Sequence, residues 1–281
     1  VSAVLRPGAD VIARDALLGV QFRDAVGGGV VAQGLEVTIE DRWRPAAQPG
    51  RTRGLVANRS GVFALHAFAD QRGYAGEALD SPPATDRFRI TVRDRLARFV
   101  PMAFMVTLPS DGLVALAGGG SPQALPPHVP LYSAATRELP VGLAALRAEL
   151  RAAGDDGRAL PWALLELWLG SSLLGRTVAD AAGRALLAFP WPRPPRPALR
   201  TSPASAPPRP PAAEWPVTLR AFVDTAFEPT AVPDAEAVFA QPERPLVEGA
   251  SPFTPLAPLV LRGGQTLVVH SPPSSYLYVA V

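Results

Sequence analysis

Apolar and polar side chains alternate along much of this chain, and that period of two predicts strands. Leu35-Glu36-Val37-Thr38-Ile39-Glu40 and Phe88-Arg89-Ile90-Thr91-Val92-Arg93 put every second side chain on one face, as a half-buried strand does. Leu17–Arg23 reads the same way, followed by a turn at Asp24–Gly29. Arg44–Arg53 carries Pro and Gly and is predicted as a loop. The turn Asn58–Gly61 then launches a strand over Val62–Phe68. Arg98–Leu108 is a further strand in which Pro101 marks an edge or a bulge, because proline cannot donate to a ladder.

The second half repeats this order. Gly142–Leu150 has helical propensity, yet its place after a turn-rich stretch matches Gly19–Arg23, so a strand is predicted. Ala152–Gly157 is a small-residue turn. Ala163–Leu169 is the counterpart of Leu35–Asp41. Most informative are two short segments, Ala57-Asn58-Arg59-Ser60-Gly61-Val62 and Ala179-Asp180-Ala181-Ala182-Gly183-Arg184. In each, an Asx residue that can bond its own backbone stands three places before a glycine that supplies positive φ. With Asn58, Gly61, Asp180 and Gly183 in matching positions, one β-sandwich module is expected twice. The second copy is the more apolar, as expected where both faces of a sheet are covered.

The resulting expectation is all-β: two Ig-like or transthyretin-like sandwich modules, a Pro-rich arm and a C-terminal β segment. The boundaries are an N-terminal extension over 1–15, module 1 over 16–111, a Gly/Pro-rich linker over 112–137, module 2 over 138–190, the arm over 191–216 and the last segment over 217–281. Within that last segment Val217–Asp224 reads as a strand and Asp234–Ala240 as a helical turn. Leu259–Arg262, Gly263-Gly264 and Gln265–Val269 read as a hairpin, and Tyr276–Val281 as a final strand. The arm is extended polyproline chain, either a flexible linker or a segment lying across a neighbouring subunit.

Composition narrows the function. The chain has 281 residues, 48% of them hydrophobic, which is ample for packed cores, and only 19% charged, which fits either burial in a larger assembly or a compositional bias toward Ala, Arg, Pro and Gly. Its net charge is +2, and its basic residues, all arginine apart from three histidines, are interleaved with acids as in Asp86-Arg87-Phe88-Arg89. That argues against a nucleic-acid partner and for salt-bridged strand faces. With no Cys there is no disulfide, thiolate metal site or cysteine nucleophile, in keeping with a reducing cytoplasm. Val1–Arg14 shows no apolar leader core, and no apolar run approaches membrane-helix length.

Candidate chemistry is sparse. His66, His128 and His270 lie far apart and form no metal motif. Gly27–Gly29 and Gly118–Gly120 read as turns, and Asp155 and Asp156 as a turn tip. No catalytic, metal or cofactor residue is predicted, and a small-molecule ligand is not expected. Trp162 and Trp168 are expected to fill the second module's core. Trp191 and Trp215 bracket the arm and are the candidate interface residues, as exposed anchors for another surface.

Three segments carry a resemblance. These are Phe88–Asp94 running into Arg98–Phe104, Val129–Ala134 with Val141–Ala144, and the strand pair Gly175–Pro190. Together they resemble β-rich structural proteins of contractile injection systems, the phage-tail-like particles. The turn-and-strand repeat is also similar to carboxypeptidase-regulatory-like, transthyretin-like sandwich domains. The resemblance spans about Phe22–Pro190, and no family is matched after Pro192. It implies a baseplate or accessory structural subunit without catalytic residues, whose partners are other subunits of a particle assembled from the cytoplasm. The competing expectation is a carbohydrate- or receptor-binding sandwich at a particle tip, which requires an exposed aromatic cluster. A transthyretin-like hydrolase would need His clustered with Arg or Ser, of which the sequence gives no sign.

Overall fold

The fold is that of a computed structural model, which describes residues 16–41, 51–65, 86–108, 113–114, 128–154, 157–193, 213–249 and 254–281. The extension over 1–15, His66, Trp43, Gly118–Gly120, Asp155 and Asp156 lie outside the described residues, as does 194–212 of the Pro-rich stretch. The described chain is all-β apart from one short helix.

The first unit contains β1 (Leu18–Asp24), β2 (Leu35–Asp41), β3 (Arg51–Ala57), β4 (Val62–Leu65), β5 (Asp86–Asp94), β6 (Met102–Leu108), β7 (Leu113–Val114) and β8 (Val129–Leu131). They form one sheet in the order β6-β5-β2-β3-β4-β1-β7, with β8 also on β1. The sheet curls. Just after β8, the carbonyl of Tyr132 accepts from Val100 N–H (2.9 Å) and Ala134 N–H donates to the carbonyl of Arg98 (2.9 Å), which ties this end to the chain entering β6. The period-two residues fill the enclosed core: Leu18, Val20 and Phe22 from β1, Ile39 from β2, Phe88 and Ile90 from β5, Phe104 from β6. Phe22 meets Phe63 and Phe104 edge-on, at 5.4 and 6.4 Å between centroids.

The second unit contains β9 (Leu143–Ala152), β10 (Leu164–Leu169), β11 (Ser172–Val178), β12 (Arg184–Pro190) and β13 (Glu214–Phe222). Beyond these come α1 (Ala235–Phe239), β14 (Glu243–Arg244), β15 (Leu246–Glu248), β16 (Thr254–Pro255), β17 (Leu259–Arg262), β18 (Leu267–Val268) and β19 (Leu277–Val279). Its pairings reproduce those of the first unit. β9 pairs β12, β10 pairs β11 and β10 pairs β13, all antiparallel, just as β1 pairs β4, β2 pairs β3 and β2 pairs β5. Even the parallel additions recur, with β7 and β8 on β1 and β18 and β19 on β9. Besides the added β15 and β16, the sheets of the two copies differ at one seam. β3 and β4 are joined through Val56↔Ala64 and Ala57↔Phe63, which makes a single curled sheet. β11 and β12 stay apart, so the second unit is a sandwich of two sheets closed over Leu146, Leu150, Leu165, Leu167, Leu187 and Leu219.

Four expectations change. The stretch over 217–281 is not a separate segment: β13 and β17 join the β10 sheet, and β18 and β19 join β9, because 138–190 alone leaves two strand pairs with half a core. Leu259–Val269 turns at Gly264, yet it is no hairpin, since β17 pairs β13 in one sheet and β18 pairs β9 in the other. The expected linker over 112–137 supplies β7 and β8. The expected loop ending at Arg53 already contains the start of β3, which is paired to β2. Gly142–Leu150 is strand, its helical propensity overridden by partners on both sides.

Candidate functional site at the joint between the two units

The Asx turns are built alike. At Asn58, Oδ1 accepts from Ser60 N–H (2.9 Å) and Val62 N–H (3.0 Å), Asn58 N–H donates to the carbonyl of Val62, and Gly61 N–H to that of Asn58. At Asp180, Oδ1 accepts from Ala182 N–H (2.9 Å) and Arg184 N–H (3.0 Å), with the same two backbone bonds. Gly61 and Gly183 hold φ of 74° and 78°. A third turn of this kind escaped sequence reasoning because it has no glycine. Asp94 accepts from the N–H groups of Leu96 and Arg98, Ala97 N–H donates to the Asp94 carbonyl, and Ala97 itself takes φ 52°. The legible signal was the arginine four residues on. Arg98 and Arg184 each place Nε on the second carboxylate oxygen, at 2.9 and 3.0 Å, whereas neutral Asn58 is followed there by Val62.

The glycines are not equally demanding. A Cβ at Gly183 would stand 2.6 Å from the Leu150 carbonyl oxygen, backbone that cannot yield, while at Gly61 its one close approach would be to Cγ1 of the exposed Val30 side chain, at 2.5 Å. Gly183→Ala should therefore cost about 2–3 kcal/mol in urea unfolding, and Gly61→Ala about 1–2 kcal/mol, near the cost of positive φ alone.

The Asp94 and Asp180 turns, one from each unit, line a common cleft of about 410 Å³ with Glu36, Arg95, Phe99 and Thr136. Phe99 lies beneath the guanidinium groups of Arg137 (4.6 Å) and Arg98 (5.3 Å). Arg137 also pairs with Asp24 and donates to Ser133 Oγ. Burial by itself would raise the Asp24 and Asp94 carboxyls. Hydrogen bonds from Arg137 and Val26, and from Arg98 and nearby amides, outweigh it and hold both below the usual carboxylate range. With folded values depressed, their stabilisation is complete above about pH 4 and is lost as pH falls through those lower values. Asp94→Asn keeps one turn acceptor, the number that suffices at Asn58, but loses the charge and the second oxygen, which at Asp94 takes the Arg98 N–H. It should lower stability at neutral pH and flatten the acid limb of a stability–pH profile.

Beneath the cleft lies the joint. Even-numbered residues of β10 and β13, and of β11 beyond its bulge at Leu174, face away from the sandwich core, and Leu164, Val178 and Phe222 pack instead into the first unit's apolar core, joined by Ala235 and Val238 of α1. Trp162 joins them, only 4% exposed, with Nε1–H donating to the Glu228 carbonyl (2.9 Å). It is thus not in the second unit's own core, as expected, but a peg into the first. It holds φ 59°, a conformation that costs a non-glycine residue about 1–2 kcal/mol. Gln241 fixes it, donating to the Trp162 carbonyl (2.9 Å) and accepting from Asp224 N–H (2.8 Å). Beside the peg, Arg176 pairs with Glu166 (2.7 Å) and hydrogen-bonds the phenol of Tyr132, whose burial pushes its pKa up to about 12. Trp168, also expected in the core, lies on this outer face, donating to Glu166 Oε2 (3.1 Å) beneath Arg220 (5.1 Å). Tyr132 additionally meets Phe239 edge-on at 6.2 Å.

The candidate interface residues have other partners. Trp215 is 7% exposed in the second unit's core, its ring 6.0 Å from that of half-buried Trp191, and its Nε1–H reaches the Arg193 carbonyl (3.3 Å). They are therefore not free anchors, because both rings find apolar surface in their own sandwich. Ala213 accepts from Gly263 N–H (2.8 Å), so the described ends of the Pro-rich stretch are held to one sandwich.

Among the described residues no group of three or more His, Asp or Glu stands where a metal would be held, and no helix is long and apolar enough to cross a membrane. No protein-family model and no curated protein matches the chain. Among solved structures it is similar to a streptococcal ancillary pilin at 10% identity, with a TM-score of 0.24, over 93% of this chain. The chain spans 62% of that pilin chain. A superposition this loose carries no argument for fold or function.

Proposed function

We propose that this chain is a structural subunit of a multiprotein particle, of the contractile, phage-tail-like kind its sequence resembles, placed at the baseplate and acting through protein–protein interfaces. The observation that carries this reading is the joint. Two copies of one strand topology are held together by a strained, buried tryptophan and a nearly dry Glu166–Arg176–Tyr132 network. A stiff two-unit body holds its outer surfaces at fixed separation, which is what an architectural part requires. The competing module at a particle tip needs exposed aromatics, whereas every described Phe, Tyr and Trp is buried or half-buried. That observation favours the architectural reading.

The test is size-exclusion chromatography with light scattering, on the protein alone and co-expressed with the products of neighbouring genes. Co-elution in a larger complex is expected. A lone monomer under both conditions would overturn the proposal.

A further inference from the structure

The described sheet edges are protected in different ways. β7, β14 and β16 are two residues each, too short to template a partner. β11 carries a bulge at Leu174, opposite Leu167 and Trp168. β12 begins at Arg184 and ends at Pro190, and its Leu186 carbonyl accepts from Thr177 Oγ1 (2.9 Å). β6, which ends the first sheet, has none of these devices. It reads Met-Ala-Phe-Met-Val-Thr-Leu, without charge, proline or glycine, the composition that most readily recruits another strand.

The second unit shields it. β14, with β17, takes on β13 the place that β6 takes on β5. In the first unit Arg95–Pro101 joins the two strands through the Asp94 turn. In the second the connection starts alike, with Asp224 Oδ1 accepting from Ala226 N–H (2.9 Å). It then runs out over 225–240 before Gln241 closes it on Asp224 N–H (2.8 Å). This excursion lies along the start of β6. Ala103 N–H donates to the Pro233 carbonyl (2.9 Å), and Ala103 bridges Asp234 in parallel. Arg89, the cross-strand neighbour of Met105, donates to the Val232 carbonyl (2.8 Å). Asp234 then caps α1, accepting from Glu236 N–H (3.0 Å), and the helix carries the chain off the edge. No residue of 225–240 belongs to the second unit's core, whereas Phe227, Ala235, Val238 and Phe239 pack in the first's.

We propose that 225–240 is an edge guard, an intramolecular contact that withholds β6 from pairing with other chains. With a period of two, Ala103, Met105 and Thr107 are the residues of β6 that turn their N–H and C=O groups outward. The guard occupies the first of them. A strand approaching along the other two runs into 233–235 before it reaches Ala103. What is left is an edge of the same short kind as β7 and β14. The second unit's sandwich closes without the excursion, which therefore serves the first unit alone.

Two variants of the full chain test this in sedimentation velocity over a concentration series, with circular dichroism reporting that each folds. The first replaces 225–240 by a copy of Arg95–Pro101, the turn that serves the first unit. The second, Arg89→Met with Asp234→Ala, keeps every core residue but removes the ties on Val232 and on α1. Should the first not fold, the second carries the test. The wild-type chain alone should stay monomeric, and each variant should self-associate roughly tenfold more tightly or better. Adding Met105→Pro, which deletes an outward donor at a position where an edge strand tolerates proline, should return both to monomers. Association through uncovered core would ignore it. Amide exchange reads the contact directly, and in the second variant Ala103 N–H should exchange about tenfold faster than in the wild type. Folded variants that stay monomeric, association that Met105→Pro leaves intact, a wild type that associates as tightly as the variants, or an unchanged Ala103 exchange rate each overturn the guard. These measurements use the chain alone, so partners found or missing on co-expression decide the particle reading and not this one.

Discussion

Trp162→Ala should lower the unfolding free energy by about 3–5 kcal/mol, the usual range for removing a buried aromatic, even after alanine relieves some positive-φ strain. The loss falls on both units, because the ring leaves the first unit's apolar core while its backbone belongs to the approach to β10. Urea unfolding followed by fluorescence should show a lower midpoint and a broadened or split transition. Trp162→Gly separates the two contributions. It removes the same ring but also the positive-φ strain, so it should be no more destabilised than Trp162→Ala, despite glycine's greater freedom in the unfolded chain. A single, unshifted transition in Trp162→Ala would show that the peg does not couple the units.

Arg176→Ala has a comparable expected effect for a different reason. Its guanidinium is the common partner of the Glu166 carboxylate and the Tyr132 phenol, and the Arg176 and Glu166 side chains are only 14% and 10% exposed. Removing one member of a buried pair leaves an uncompensated charge, and about 3–5 kcal/mol is expected. The double variant Arg176→Met with Glu166→Leu removes both charges and should recover most of that loss, since well-packed apolar replacements of buried pairs are often neutral. A double variant as unstable as Arg176→Ala would mean that the pair itself, not the orphaned carboxylate, sets the stability.

Much of this was legible in the chain. Period-two alternation located β2 and β5, and the matching Asn58 and Asp180 turns exposed the duplication that the strand pairings reproduce. The faces were less legible. In Ala163–Leu169 apolar residues occupy both parities, so sequence alone does not say which face turns inward. In the structure Ala163, Leu165 and Leu167 enter the sandwich, whereas Leu164 enters the other unit's core. Trp162 and Trp168 share Leu164's parity, which is why reading them as sandwich core failed. The Asp94 turn was hidden because Ala97 takes the conformation that glycine takes in its counterparts. The partners of 217–281 were hidden for a topological reason. A pattern marks a strand, but a pairing across the intervening Pro-rich stretch leaves no local trace. Trp191 and Trp215 read as exposed anchors only while those pairings were unknown.

Two copies of one topology, held at the Trp162 joint, should behave as a single stiff body. Since the chain contains no cysteine, Thr52→Cys on β3 and Thr218→Cys on β13, both exposed, can be spin-labelled without background. Double electron–electron resonance should give one narrow distance distribution, which broadens when Trp162→Ala is added. A broad or multimodal distribution in the otherwise wild-type chain would contradict the claim.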